Sequence, residues 1–187
     1  MGNFYVNYTL RGPGQQQIAE ALAGRNAAVT PVQTGYAVVF DEESDTQDTE
    51  AIAELATLLS RQFQCPLLAV LNHDDDILLY WLYENGELTD EYNSNPGYFD
   101  GDEDRMKPAG GDAERLVRVF NAGTPVEVES ILRKSFDEYT FAFQRHDDLA
   151  RALGLPEWAV GTAYQSFEYG EFPEGLTDAN LIKTKTA

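Results

Sequence analysis

The chain has 187 residues, 43% of them hydrophobic and 12% aromatic, which supplies one sizeable core and argues against a disordered chain. Its 32 acids outnumber 13 bases, for a net charge of −19, and that field repels phosphate backbones and anionic lipid while drawing in cationic proteins and divalent ions. A lone cysteine, Cys65, excludes an internal disulfide, and neither a basic-apolar leader nor a membrane-length apolar run is present, so the expectation is a soluble cytoplasmic protein that binds neither nucleic acid nor membrane.

From the start of the chain, Phe4, Val6, Tyr8 and Leu10 alternate with Tyr5, Asn7, Thr9 and Arg11, the period of a strand. Gly12, Pro13 and Gly14 stop it. Ile18, Ala19, Ala21 and Leu22 then predict a short amphipathic helix from Gln15, closed near Gly24. Ala27 to Val32 and Tyr36 to Phe40 read as two strands joined by a turn over Gln33 to Gly35. Asp41 to Asp48 is an acidic loop able to start a helix, because carboxylates favour a helix N-terminus. Ile52, Leu55, Leu58, Leu59 and Phe63 follow at helical spacing, with Glu50, Glu54 and Arg61 facing away.

Pro66 ends that helix, and the densest run of strand residues begins. Leu67 to Leu71 is continuously apolar, as in a strand covered on both faces. Asn72 to Asp76 breaks it. Ile77 to Tyr83 resumes with apolar or aromatic residues on both faces, and Asn85-Gly86 then offers the two positive φ angles of a type I′ hairpin. Leu88, Asp90 and Tyr92 alternate with Thr89, Glu91 and Asn93, the pattern of a half-wet edge strand.

The order strand, helix, strand, strand, helix, strand resembles the split βαβ, or ferredoxin-like, arrangement. The expected fold is therefore α+β: a ferredoxin-like antiparallel sheet over residues 1–99 with two appended strands. An acidic Gly/Pro linker over 100–111 follows, then a small helical region over 112–187 packed on the sheet. In that region Asp112 and the box Thr124-Pro125-Glu127 predict two capped helices. Phe141 and Phe143 read as core anchors, further helices are expected over 147–153 and 156–167, and the tail from Gly170 shows no periodicity.

Motifs narrow the chemistry further. Ala150, Gly154 and Val160 have the spacing of a helix-turn-helix, but residues 157–166 contain no Lys or Arg to meet phosphate, so packing is the preferred reading. Asp100, Asp102 and Asp104 match the first ligands of an EF-hand, whereas Arg105 and Gly111 stand where glycine and glutamate are required. Two histidines exclude a three-His zinc site. His73 with Asp74, Asp75 and Asp76 has the residue types of a hard-cation site for Mg²⁺, Mn²⁺ or Ca²⁺, or of a general base with orienting carboxylates, against the plainer reading of a solvated turn.

Charge supplies the remaining functional signal. Residues 1–104 hold 19 of the acids with only Arg11, Arg25 and Arg61 against them. Tyr92, Tyr98 and Phe99 border the acidic residues Asp100 and Asp102, and Tyr80, Trp81 and Tyr83 lie on the adjoining strand. Aromatics rimmed by acids suit an interface for a basic protein. The expectation is thus a non-enzymatic acidic interaction protein of inhibitor, immunity-type or regulatory kind, with a divalent-cation enzyme or sensor at His73 to Asp76 as the alternative.

Overall fold

The computed structural model describes residues 2–101, 105–135 and 138–186. They form an α+β structure in which one open antiparallel sheet of eight strands carries helices on both faces. In chain order the elements are β1 (Tyr5–Arg11), α1 (Gln15–Ala21), β2 (Ala27–Val29), β3 (Tyr36–Asp41), α2 (Thr49–Phe63), β4 (Pro66–His73), β5 (Ile77–Glu84) and β6 (Glu87–Asn93). β7 (Ala109–Gly110), α3 (Ala113–Phe120), α4 (Pro125–Arg133), α5 (Ala142–Leu153), α6 (Tyr164–Glu168) and β8 (Ile182–Thr184) complete the chain. The spatial order of strands is β7-β6-β5-β4-β1-β3-β2-β8.

The sheet has two strands more than the sequence pattern predicts, one at each edge. β7 is two residues within the Gly/Pro stretch and pairs with Tyr92 and Asn93; β8 lies in the aperiodic tail and pairs with β2. Strands of two and three residues are too short to show a period, which is why alternation does not find them. They also keep both sheet edges short, a guard against edge-to-edge association.

The pleat of β1 explains the layering. Val6, Tyr8 and Leu10 point to the side covered by α1 and α2, joining Ile18, Leu22, Ile52, Leu55 and Leu59 in one apolar cluster. Tyr5 points the other way and joins Leu68, Val70, Leu78, Tyr80 and Leu82 beneath α3, α4 and α5. A third cluster puts Val38 and Phe40 under Phe167, Leu176 and Leu181. The helical segment therefore shares its core with the sheet, and β1, β3 and β4 are buried on both faces.

Polar side chains placed between layers must find partners there. Asn7 donates to the carbonyl of Ala159 at 2.6 Å, and Tyr36 donates to that of Phe120 at 3.0 Å. Asp41, fully buried, accepts both Arg25 Nε and Nη2 at 2.9 Å and both the amide and hydroxyl of Ser44, whose Oγ lies 2.6 Å from the Tyr8 hydroxyl. This network pins the acidic loop expected over 41–48, and the Asp48 carboxylate then caps α2 at Glu50.

Several local expectations are corrected. Leu58 lies half-exposed on the outer side of α2, and Phe141 is 46% exposed rather than a core anchor. In place of one helix over 156–167, the segment after α5 forms a 3₁₀ turn, Glu157–Ala159, and then the short α6, Tyr164–Glu168. Its irregular path is held by side chains of the first strand region, Asn7 on Ala159 and Asn3 on the Gly161 carbonyl at 3.1 Å. A recognition helix is thus absent from this position.

Candidate functional site

β4 ends at His73, which pairs with Ile77 at the start of β5. The intervening Asp74 and Asp75 have φ of 54° and 60°, the left-handed region, where a short polar side chain is tolerated better than a branched or bulky one. The carboxylates of this turn are engaged by the chain itself. Asp74 Oδ1 accepts the Gly2 amide at 3.0 Å, Asp75 Oδ2 the Asn3 amide at 2.9 Å, and Asp75 Oδ1 the Asn72 side-chain amide at 2.9 Å. Asp76 Oδ2 accepts the Tyr98 hydroxyl at 2.9 Å, and the Ala142 amide donates to the Asp75 carbonyl at 2.6 Å. One three-residue turn thereby gathers the strand entering β1, the loop after β6 and the start of α5.

Aromatic rings crowd around it. His73 is the hub, with Phe4 at 4.9 Å, Phe99 at 5.2 Å and Tyr98 at 5.9 Å between ring centroids, and Tyr98 and Phe99 are 5.0 Å apart. Every pair is edge-to-face, the arrangement that the ring quadrupole favours. Gln47 fixes the histidine: its Nε2 donates to the Asn72 carbonyl at 2.8 Å, which turns Oε1 toward His73 Nδ1 at 2.6 Å and assigns the imidazole proton to Nδ1. Partial burial, then the Asp76 and Asp74 charges, hold the Tyr98 phenol above its ordinary pKa, so it remains a donor to Asp76. Phe99 is 70% exposed and Phe4 44%, and Phe141 stands beside the turn through the Ala142 contact.

The structure thus brings together His73, Asp74, Asp75, Asp76, Tyr98, Phe99 and Asp100, which the sequence offers as two separate sites. Asp100 follows Phe99 and pairs with Arg105 at 2.9 Å; Asp102 lies outside the described residues. Tyr80, Tyr83 and Tyr92 are elsewhere and buried. Tyr80 and Tyr92 stack at 5.3 Å, and their hydroxyls donate to Asp90 and to the Leu132 carbonyl, so they join sheet to helices and present no contact surface. Trp81 is half-buried on the α2 side of the sheet, where it lines a shallow depression of about 250 Å³ with Leu79, Glu91, Asn93 and Pro96.

Two contributors escape sequence reasoning. Phe4 continues the alternation of the buried face, but it precedes the first residue of β1 and lies off the sheet end; only the position of that end could reveal its exposure. Phe141 precedes α5, its amide held by Gln144, but its exposure beside the turn depends on the contact between α5 and the aspartate turn. His146 and Asp148 sit inside α5, with Asp148 accepting the Tyr139 hydroxyl at 2.9 Å. Cys65 is buried, as its type suggests, and burial pushes its thiol up to about 11.

Among the described residues, no group of three or more His, Cys, Asp and Glu is placed to hold a metal ion, and no helix is long and apolar enough to cross a membrane. The chain matches no family model, no curated protein and no solved structure.

Proposed function

We propose that the chain is a non-enzymatic acidic interaction protein that binds a basic protein partner, in an inhibitory, immunity-type or regulatory role. The observation that carries this reading is the β4–β5 tip, where Phe4 and Phe99 are solvent-exposed beside Asp74, Asp75, Asp76 and Asp100. Exposed rings supply contact area with little side-chain entropy to lose, and the carboxylates steer a cationic partner toward them. A cytoplasmic, reducing setting goes with the free Cys65, and the field disfavours nucleic acid.

Affinity capture with the intact chain from its own host tests this reading. Recovery of a basic protein that elutes with salt, and is lost with the Asp76→Asn/Asp100→Asn variant, supports it. Recovery of no basic protein counts against it.

The architecture has a finer reading as well. We infer that residues 5–73 are a ferredoxin-like split βαβ unit extended by β5, β6 and the two short edge strands. The order β4-β1-β3-β2 and the position of α1 and α2 on one face support this. The arrangement carries no activity of its own.

A further inference from the structure

We propose that the tip selects arginine over lysine: the partner segment docks by laying guanidinium groups on the exposed faces of Phe99 and Phe4, while Asp74, Asp76 and Asp100 oppose the charge. This rests on the reading that the tip binds a cationic partner, and it specifies which cation.

The rings of Phe4 and Phe99 are each held edge-to-face against the same imidazole, which Gln47 in turn fixes at 2.6 Å. Rings held by their neighbours present faces without having to be ordered on binding. The carboxylates belong to the same turn and loop: Asp76 holds Tyr98, whose ring lies 5.0 Å from that of Phe99, and Asp100 is the next residue in the chain. Asp76 and Asp100 each commit Oδ2 to a partner within the chain, Tyr98 and Arg105, and among the described residues Oδ1 of each has no donor, which leaves it for an incoming one. The charges to be reckoned with are Arg105, paired with Asp100, and Arg145, which lies beneath the turn and lines a small cavity with Asp75 and Asp76. Among the described residues, two bases against four aspartates leave the tip anionic.

A site made of an exposed ring face with an acceptor at its rim distinguishes the two cations. A guanidinium is planar and weakly hydrated, so it stacks on the ring and still donates in its own plane to a carboxylate beside it. An ammonium is a compact, strongly hydrated point charge that must shed water to approach the ring. Charge alone favours both equally, so any preference reports the rings.

The test uses the full chain and two short labelled peptides of equal charge and spacing, one of arginine and glycine, the other of lysine and glycine. Titration at moderate salt is expected to give about three- to tenfold tighter binding of the arginine peptide, the range that one or two exposed cation–π contacts provide. In the Phe4→Leu/Phe99→Leu variant, which keeps apolar volume, the two peptides are expected to bind alike. In the Asp76→Asn/Asp100→Asn variant both should weaken together.

Equal binding of the two peptides to the wild-type chain, or a preference that survives loss of both rings, overturns the arginine assignment and leaves the broader reading in place. Binding of both peptides that is indifferent to the aspartate variant places the cation elsewhere on the acidic surface and overturns the reading itself.

Discussion

Tyr5 and His146, 141 residues apart in the chain, share a hydrogen bond of 2.8 Å between the phenol oxygen and Nδ1, and their rings stack at 5.7 Å. Both are buried, and the contact fixes α5 against the first strand of the sheet. Because the imidazole is cut off from water, burial drives its pKa down from 6.5 to about 3. Below pH 6.5 the unfolded chain takes up a proton that the folded chain refuses, so folding stability contributed at this position falls as pH drops from 6.5 toward 3.

The slope is about 1.4 kcal/mol per pH unit. Asp45 acts in the opposite sense over part of the range: burial raises its carboxyl to about 6, so the folded chain holds that proton more tightly than the unfolded one between pH 3.8 and 6. A His146→Gln variant separates the two. Urea unfolding at pH 7 and near pH 4.5 is expected to show the wild type losing about 2 to 3 kcal/mol relative to the variant. A difference that does not change with pH would place the imidazole proton exchange elsewhere.

Arg145, on α5, is 2% exposed, and its side chain reaches the C-terminal end of α4. Its Nη1 donates to the carbonyls of Ile131 and Leu132 at 2.7 and 3.3 Å, its Nη2 to those of Lys134 and Ser135 at 2.8 and 3.3 Å, and its guanidinium sits 4.6 Å from the Tyr139 ring. One side chain thus satisfies carbonyls that a helix end leaves without partners. Arg145→Met fills the space but supplies no donor, and a loss of about 3 to 5 kcal/mol is expected in chemical denaturation. Arg145→Lys should recover only part, because an ammonium cannot span four carbonyls in a plane. Full recovery by lysine would mean that charge alone suffices.

Gly110 has φ of 73° and faces the Glu91 carbonyl so closely that a β-carbon would collide with backbone. The neighbouring Gly111 amide donates to that same carbonyl at 2.8 Å, and Arg133 donates to the Gly110 and Gly111 carbonyls at 2.7 and 2.9 Å. Gly110→Ala is expected to detach β7 from β6 at a cost of about 1 to 3 kcal/mol, read as faster amide exchange at Gly111 with the rest of the sheet protected. Unchanged exchange there would show that the edge tolerates the substitution.

How far the sequence foretold this molecule follows from what each element depends on. The strands β1, β3, β4 and β5 and the helix α2 are written in local periodicity, and the Asn85-Gly86 turn takes the positive φ angles its residues allow, 56° and 85°. The start of α5 is set by a local contact that apolar spacing does not reveal: Gln144 Oε1 accepts the Phe141 amide at 3.1 Å, so the helix begins at Ala142, five residues ahead of the expected start at 147. The candidate site was legible as two fragments. Joining them required knowing that Asp74 to Asp76 receive the amides of Gly2 and Asn3 and the hydroxyl of Tyr98, contacts between segments that share no sequence pattern. Tyr80, Tyr83 and Tyr92 misled because an aromatic on a strand reads the same whether it faces solvent or a second layer of helices.

The central claim, that the aromatic and acidic tip is where a basic partner docks, is tested most directly by site-specific photocrosslinking in the native host. A photoreactive phenylalanine analogue at Phe99 is compared with one at Val126, which is 81% exposed on α4. The account predicts a discrete adduct with a basic protein at position 99 alone, abolished by high salt. Matching adducts at both positions, or capture of a neutral or acidic protein that salt does not release, would contradict it.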